Sequence, residues 1–179
     1  GYKNIIKTFS LAYAKDNSAP TASVEKAEQK YVVVKFNKPV SGLTVDHFWH
    51  TFTAWNAEGI YKAEDFSNTN NVINTSDSVD KVWVKFADDA ETGKPIAEGT
   101  TTFGIRGKDT SNNEIKDNWG NKFESAEFTI TVTADRTAPE VVELSVAAEN
   151  QLKLVFSEPV VFEADKNIEI LDTDGKEID

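Results

Sequence analysis

The chain has 179 residues and carries 30 Asp or Glu against 19 Lys or Arg, a formal charge of −11 at neutral pH, which excludes a nucleic-acid binder that works by neutralising phosphates. Val, Ile and Thr fill 45 positions while Leu fills 6 and Met none, a composition for pleated strands rather than helices. With 39% hydrophobic residues and no cysteine, the chain is expected to fold without disulfides, thiol chemistry or thiolate metal sites, and no apolar run reaches the roughly 18 residues of a membrane span.

In chain order, Phe9, Leu11 and Tyr13 alternate with polar residues as on a strand with one apolar face. Tyr31 to Phe36 reads as a strand, and Pro39 is expected to end its pairing, because proline has no amide donor. Phe48 to Trp55 alternates and then meets Asn56-Ala57-Glu58-Gly59, a hairpin turn in which Gly59 is expected to take a positive φ. A period of two places Val82, Val84 and Phe86 inward and Trp83 and Lys85 outward. It does the same for Phe103 and Ile105, and for Phe128, Ile130 and Val132 against Thr129, Thr131 and Thr133. Asp172-Thr173-Asp174-Gly175 reads as a further hairpin turn. About seven short strands with polar turns predict an antiparallel β-sandwich.

The sequence also repeats. Gly1 to Pro20 aligns without gaps on Gly120 to Pro139 with six identities: Gly1, Lys3, Phe9, Asp16, Ala19 and Pro20 match Gly120, Lys122, Phe128, Asp135, Ala138 and Pro139. After one inserted residue, Phe36-Asn37-Lys38-Pro39-Val40 answers Phe156-Ser157-Glu158-Pro159-Val160. A domain length near 119 residues fits an immunoglobulin-type sandwich. Residues 1–18 are then the final strand of one domain, 19–136 a complete domain, and 137–179 the first strands of a third. The chain opens on Gly1 with neither a basic nor an apolar leader, and is expected to be a piece of a longer protein.

The strand with Phe-x-x-Pro-Val, the late Ile115 to Asn121 segment, the final strand and the following Ala134-Asp135-Arg136-Thr137-Ala138-Pro139 resemble the tandem Ig-like domains of bacterial surface-layer proteins. The resemblance covers essentially the whole chain and implies an all-β, Ig-like fold. It implies an extracellular structural role at the cell wall, self-assembly with other copies into a lattice, and calcium as a stiffening ion. No segment of the kind that anchors surface-layer proteins to wall polysaccharide is visible.

Chemistry is sparse. His47 and His50 lie three positions apart on extended chain, which directs them to opposite faces, and no nucleophile elbow, phosphate loop or His-Glu-x-x-His motif is present. No catalysis is expected. Oxygen-rich turns at Lys108 to Glu114 and Asp117 to Asn121 suit a hard cation, and also suit plain turns closed by their own side chains. Asp16 and Asp135 recur before Ala-Pro, where proline stiffens the junction and a carboxylate suits either a cation shared with the next domain or a simple turn or cap on the final strand. The candidate calcium ligands are therefore Asp16, Asp109, Asn112, Asp117, Asn118 and Asp135. Trp49 or Trp55 is expected in the core, and Trp83 and Trp119 are candidate ligand or interdomain contacts. An adhesin or carbohydrate-binding module is the alternative to the lattice role.

Overall fold

The computed structural model describes residues 8–12, 14–148, 151–158, 160, 173, 174 and 176, arranged in two compact units, Gly1–Asp135 and Arg136–Asp179. Tyr13, and Asp172 and Gly175 of the turn expected at Asp172 to Gly175, lie outside the described residues, while Thr173 and Asp174 between them are in a turn.

The first unit is all β. Its strands are β1 (Ala22–Ala27), β2 (Tyr31–Ser41), β3 (Phe48–His50), β4 (Phe52–Asn56), β5 (Gly59–Tyr61), β6 (Val79–Lys85), β7 (Gly99–Ile105), β8 (Lys116–Asp117) and β9 (Ala126–Val132). One sheet runs β1-β2-β6-β5 with β8 added to β2, and the other runs β4-β3-β7-β9. Every pairing is antiparallel. The order is that of an immunoglobulin-type sandwich, A-B-E-D against C-F-G, with β4 beside β3.

Alternation builds the core between the sheets. Val32, Val34 and Phe36 of β2, Val82 and Val84 of β6, Phe48 of β3, Phe103 and Ile105 of β7, and Ile130 and Val132 of β9 are buried in one cluster. Phe86, just past β6, joins them, while Trp83 and Lys85 turn outward. Each strand contributes every second residue, as one buried face requires.

Three local expectations differ from the structure. The alternating run from Phe48 to Trp55 is two strands, broken at Thr51, whose φ of 56° is an outlier for a β-branched residue. Thr51 is held there by its amide on the Thr102 carbonyl (2.8 Å) and its hydroxyl against that of Thr101 (2.9 Å). The Asn56 to Gly59 turn is not a hairpin, because β4 and β5 belong to different sheets. Gly59 does not take a positive φ; a Cβ there would stand 2.5 Å from the outer edge of the Tyr61 ring, which would have to shift. Finally, β2 passes through Pro39. Its pairing with β6 lapses after Lys35 and resumes at Val40, so the missing amide falls in the gap.

In the second unit β10 (Val141–Ala148) pairs with β11 (Gln151–Phe156) as an antiparallel hairpin. Among the described residues of 8–18 there is no strand, and Phe9 and Leu11 are 80% and 92% exposed.

Candidate functional site

After β7 the chain makes the same five-residue loop twice. In Asp109-Thr110-Ser111-Asn112-Asn113, the Asp109 Oδ1 accepts the amides of Ser111 (2.9 Å) and Asn113 (2.8 Å), while Oδ2 accepts the Asn113 side-chain amide (2.7 Å). In Asp117-Asn118-Trp119-Gly120-Asn121, Asp117 Oδ1 accepts the amides of Trp119 (2.8 Å) and Asn121 (2.9 Å), and Oδ2 the Asn121 side-chain amide (2.8 Å). The fourth residue has a positive φ in both, 68° at Asn112 and 83° at Gly120, a conformation in which Asn and Gly are the favoured residues. An Asp and an Asn four apart thus close each loop through their own hydrogen bonds.

The two loops are anchored differently. Asp109 is buried and its Oδ2 also accepts the Thr44 hydroxyl (2.8 Å). Burial alone would raise its pKa, but the Asn113 and Thr44 bonds pull it down to about 2. Beside it His47 accepts the Thr44 amide on Nδ1 (3.0 Å) and therefore donates from Nε2 to the Asn113 carbonyl (3.1 Å). His50 donates from Nε2 to the Lys94 carbonyl (2.7 Å), with the Thr51 hydroxyl at Nδ1 (3.0 Å). Both rings are fully buried, and burial lowers both pKa values, so each is a neutral structural imidazole.

Asp117 faces the segment that enters the sandwich. Lys38, on β2, places its ammonium 2.6 Å from Asp16 Oδ2, 2.9 Å from the Ser18 carbonyl, 3.1 Å from the Ser18 hydroxyl and 3.2 Å from Asp117 Oδ2. Asn121, while bound to Asp117, also donates to the Asp16 carbonyl (2.9 Å). Asp16 further accepts the Ser18 amide (2.9 Å) and hydroxyl. The Lys38 side chain is 17% exposed, and the ammonium stands between a buried carboxylate, Asp117 at 2%, and a half-exposed one, Asp16 at 41%. Its bond to Asp16 holds that carboxyl well below the usual range and raises the lysine. Burial would raise Asp117, yet the Asn121, Trp119 and Lys38 bonds bring it to about 2.

The six candidate cation ligands do not form one group. Asp16 and Asp117 meet across Lys38, and Asn118 accepts from the Ser78 hydroxyl (3.2 Å) on the same loop. Asp109 and Asn112 belong to the His47 loop. Asp135 lines a cleft with Glu28, Gln29, Lys30, Ala90 and Thr133 at the opposite end of the strands, where β1 turns into β2. Among the described residues no three His, Cys, Asp or Glu side chains are grouped to hold a metal ion. The partners that organise these loops, Lys38, Thr44, Asn113 and Asn121, escape a reading that looks for carboxylates. The recurring Asp-x-x-x-Asn spacing is the signal that points to two of them.

The tryptophans divide likewise. Trp49 is buried, though on the outer side of its sheet: it lies on Gly104 with the Arg106 guanidinium 6.0 Å above it. Trp55 is half-buried against His50 and Phe52. Trp83 is half-buried with the Lys81 ammonium 5.0 Å from its ring. Trp119, at the tip of the 117–121 loop, is 47% exposed.

Over 147 residues the chain is 29% identical to an outer cell wall protein of Brevibacillus brevis. The similarity covers 81% of this chain and 13% of that protein, so the chain spans a small part of its relative's length. No protein-family model matches the sequence, and no solved structure matches it. Among the described residues no helix is long and apolar enough to cross a membrane.

Proposed function

We propose that this chain is a structural segment of a cell-surface protein, in which Ig-like sandwiches follow one another along the chain and bind other copies to form a surface-layer lattice outside the cell wall. The observation that carries this reading is a repeated hairpin. In β1–β2, Ala22 pairs with Phe36 and Ala27 with Val32; in β10–β11, Val141 pairs with Phe156 and Val146 with Leu152. These are the same pairs displaced by the sequence offsets of 119 and 120. Even the bonds at the hairpin mouth recur. Asn37 donates its amide to the Thr21 carbonyl (3.0 Å) and accepts the Thr21 amide on its side chain (2.8 Å), as Ser157 does with Glu140 (2.8 and 3.0 Å).

The similarity to an outer cell wall protein supports the location, and the self-closed loops and neutral, fully bonded histidines support a role in holding shape. Self-assembly is tested by electron microscopy of the full-length protein after removal of denaturant. Ordered sheets are expected. Dispersed monomers that bind wall polysaccharide would replace this reading with that of an adhesin or carbohydrate-binding module.

A further inference from the structure

We propose that Lys38 is a built-in cation that clamps the incoming chain onto the sandwich, so that a preceding sandwich docks on the 117–121 loop over Trp119 without needing calcium. The inference rests on the tandem reading above and adds the geometry of the joint.

Its first support is the completeness of the clamp. A divalent ion at this place would have to neutralise Asp16 and Asp117 and gather neighbouring oxygens. The Lys38 ammonium already bridges both carboxylates and offsets one of their two charges, with four oxygens within 3.2 Å from Asp16, Ser18 and Asp117. Asn121 ties the Asp16 carbonyl to the same loop. Asp16 to Ser18 are thus fixed to β2 on one side and to the loop on the other, and Pro20 behind them is buried.

The second support is reach. Phe9 and Leu11 match Phe128 and Ile130 of β9 in the repeat, and Tyr13 matches Val132, the last residue of that strand. In β9 Ile130 and Val132 are buried, whereas Phe9 and Leu11 are almost fully exposed. A strand with that pattern belongs to a sandwich whose other strands would cover it. Between position 13 and the clamped Asp16 there are three residue steps, which span at most about 11 Å. A domain ending at residue 13 is therefore held against the end of this sandwich that carries the 117–121 loop. Trp119 stands at the tip of that loop, 47% exposed, a flat and partly apolar side chain of the type enriched at interfaces.

The joint is tested by hydroxyl-radical footprinting of dispersed protein, comparing this 179-residue chain with the native chain extended by one repeat toward its N-terminus. In the longer chain oxidation of Trp119 should fall by roughly fivefold, the ratio of its present exposure to that of a covered side chain, while Trp83 stays unchanged. The protection should be the same in millimolar calcium and in chelator. Lys38→Met should abolish it and Lys38→Arg keep it, with buried Trp49 unoxidised in both as the mark of a folded sandwich. Three results would overturn the proposal: no protection of Trp119, protection that disappears with the chelator, or protection that survives Lys38→Met. Monomers are used throughout, so a protein that forms no lattice can still pass or fail this test.

Discussion

At the scale of single residues, the buried and half-buried titratable groups set how the sandwich responds to acid. Asp109 and Asp117 are held near 2 against an ordinary 3.8, and Glu114, between Lys116 and Lys122, near 2 against 4.5. An unfolded chain would take up these protons first, so the groups stabilise the native state above their ordinary values, and the contribution is lost as pH falls toward 2. His47 and His50 are lowered from 6.5 by burial. Their contribution is present above that value and declines below it, because only the unfolded chain is readily protonated there. Urea midpoints should therefore be flat above pH 7, fall gently below 6.5 and steeply below 4.5. A profile level from pH 8 to 5 would remove the histidines from this account. The paired loops make a second prediction. Nothing lies within 4 Å of a Cβ added to Gly120, so Gly120→Ala isolates the cost of a positive φ, roughly 1 to 2 kcal/mol. Asn112→Gly, at the matching place, should gain up to about 1 kcal/mol by relieving the same conformation. Equilibrium unfolding measures both, and equal effects of one sign would show that the two loops are not equivalent.

Elements show where a linear pattern is sufficient and where it is not. The inward sets Val82, Val84, Phe86 and Phe103, Ile105 were legible because alternation has a fixed period and one face is buried. The division of Phe48 to Trp55 into two strands was not, since it depends on Thr102 and Thr101 binding Thr51 from β7 across the sheet. Gly59 and Gly104 show the same limit: each makes room for a ring, of Tyr61 and of Trp49, and neighbours in space are invisible in sequence. The loop aspartates were legible as oxygen-rich turns, but not Lys38, the partner of Asp117, which lies 79 residues from it. At β7 this yields a sharp expectation. A Cβ on Gly104 would stand 2.0 Å from the Trp49 ring, with backbone beneath and Arg106 above. Gly104→Ala should cost about 1 to 3 kcal/mol through overpacking and expose Trp49, red-shifting its emission. A melting point within a degree of the parent would mean that the ring has another place to go.

For the whole molecule the two units differ in what covers their strands. In the first, Val32, Val34 and Phe36 are fully buried because β6 pairs with β2 and the second sheet closes over them. In the second, the matching Leu152 is 44% exposed, and on β10 Leu144 and Val146 are 63% and 73% exposed. A lone two-stranded hairpin is marginal in water, since it has backbone pairing but little apolar burial to offset the entropy of ordering. Local stability should follow that difference rather than the number of backbone bonds. Amide exchange of this chain as a verified monomer is therefore expected to be slow in β2, β6 and β7. In β10 and β11 it should be faster by orders of magnitude, approaching the rates of free peptide. The same hairpin inside a longer chain should slow toward the rates of β1 and β2, because the strands that cover its counterpart in the first unit would then be present. Protection of β10 and β11 equal to that of β2 in the 179-residue monomer would show that the hairpin needs no further strands, and would count against the tandem reading.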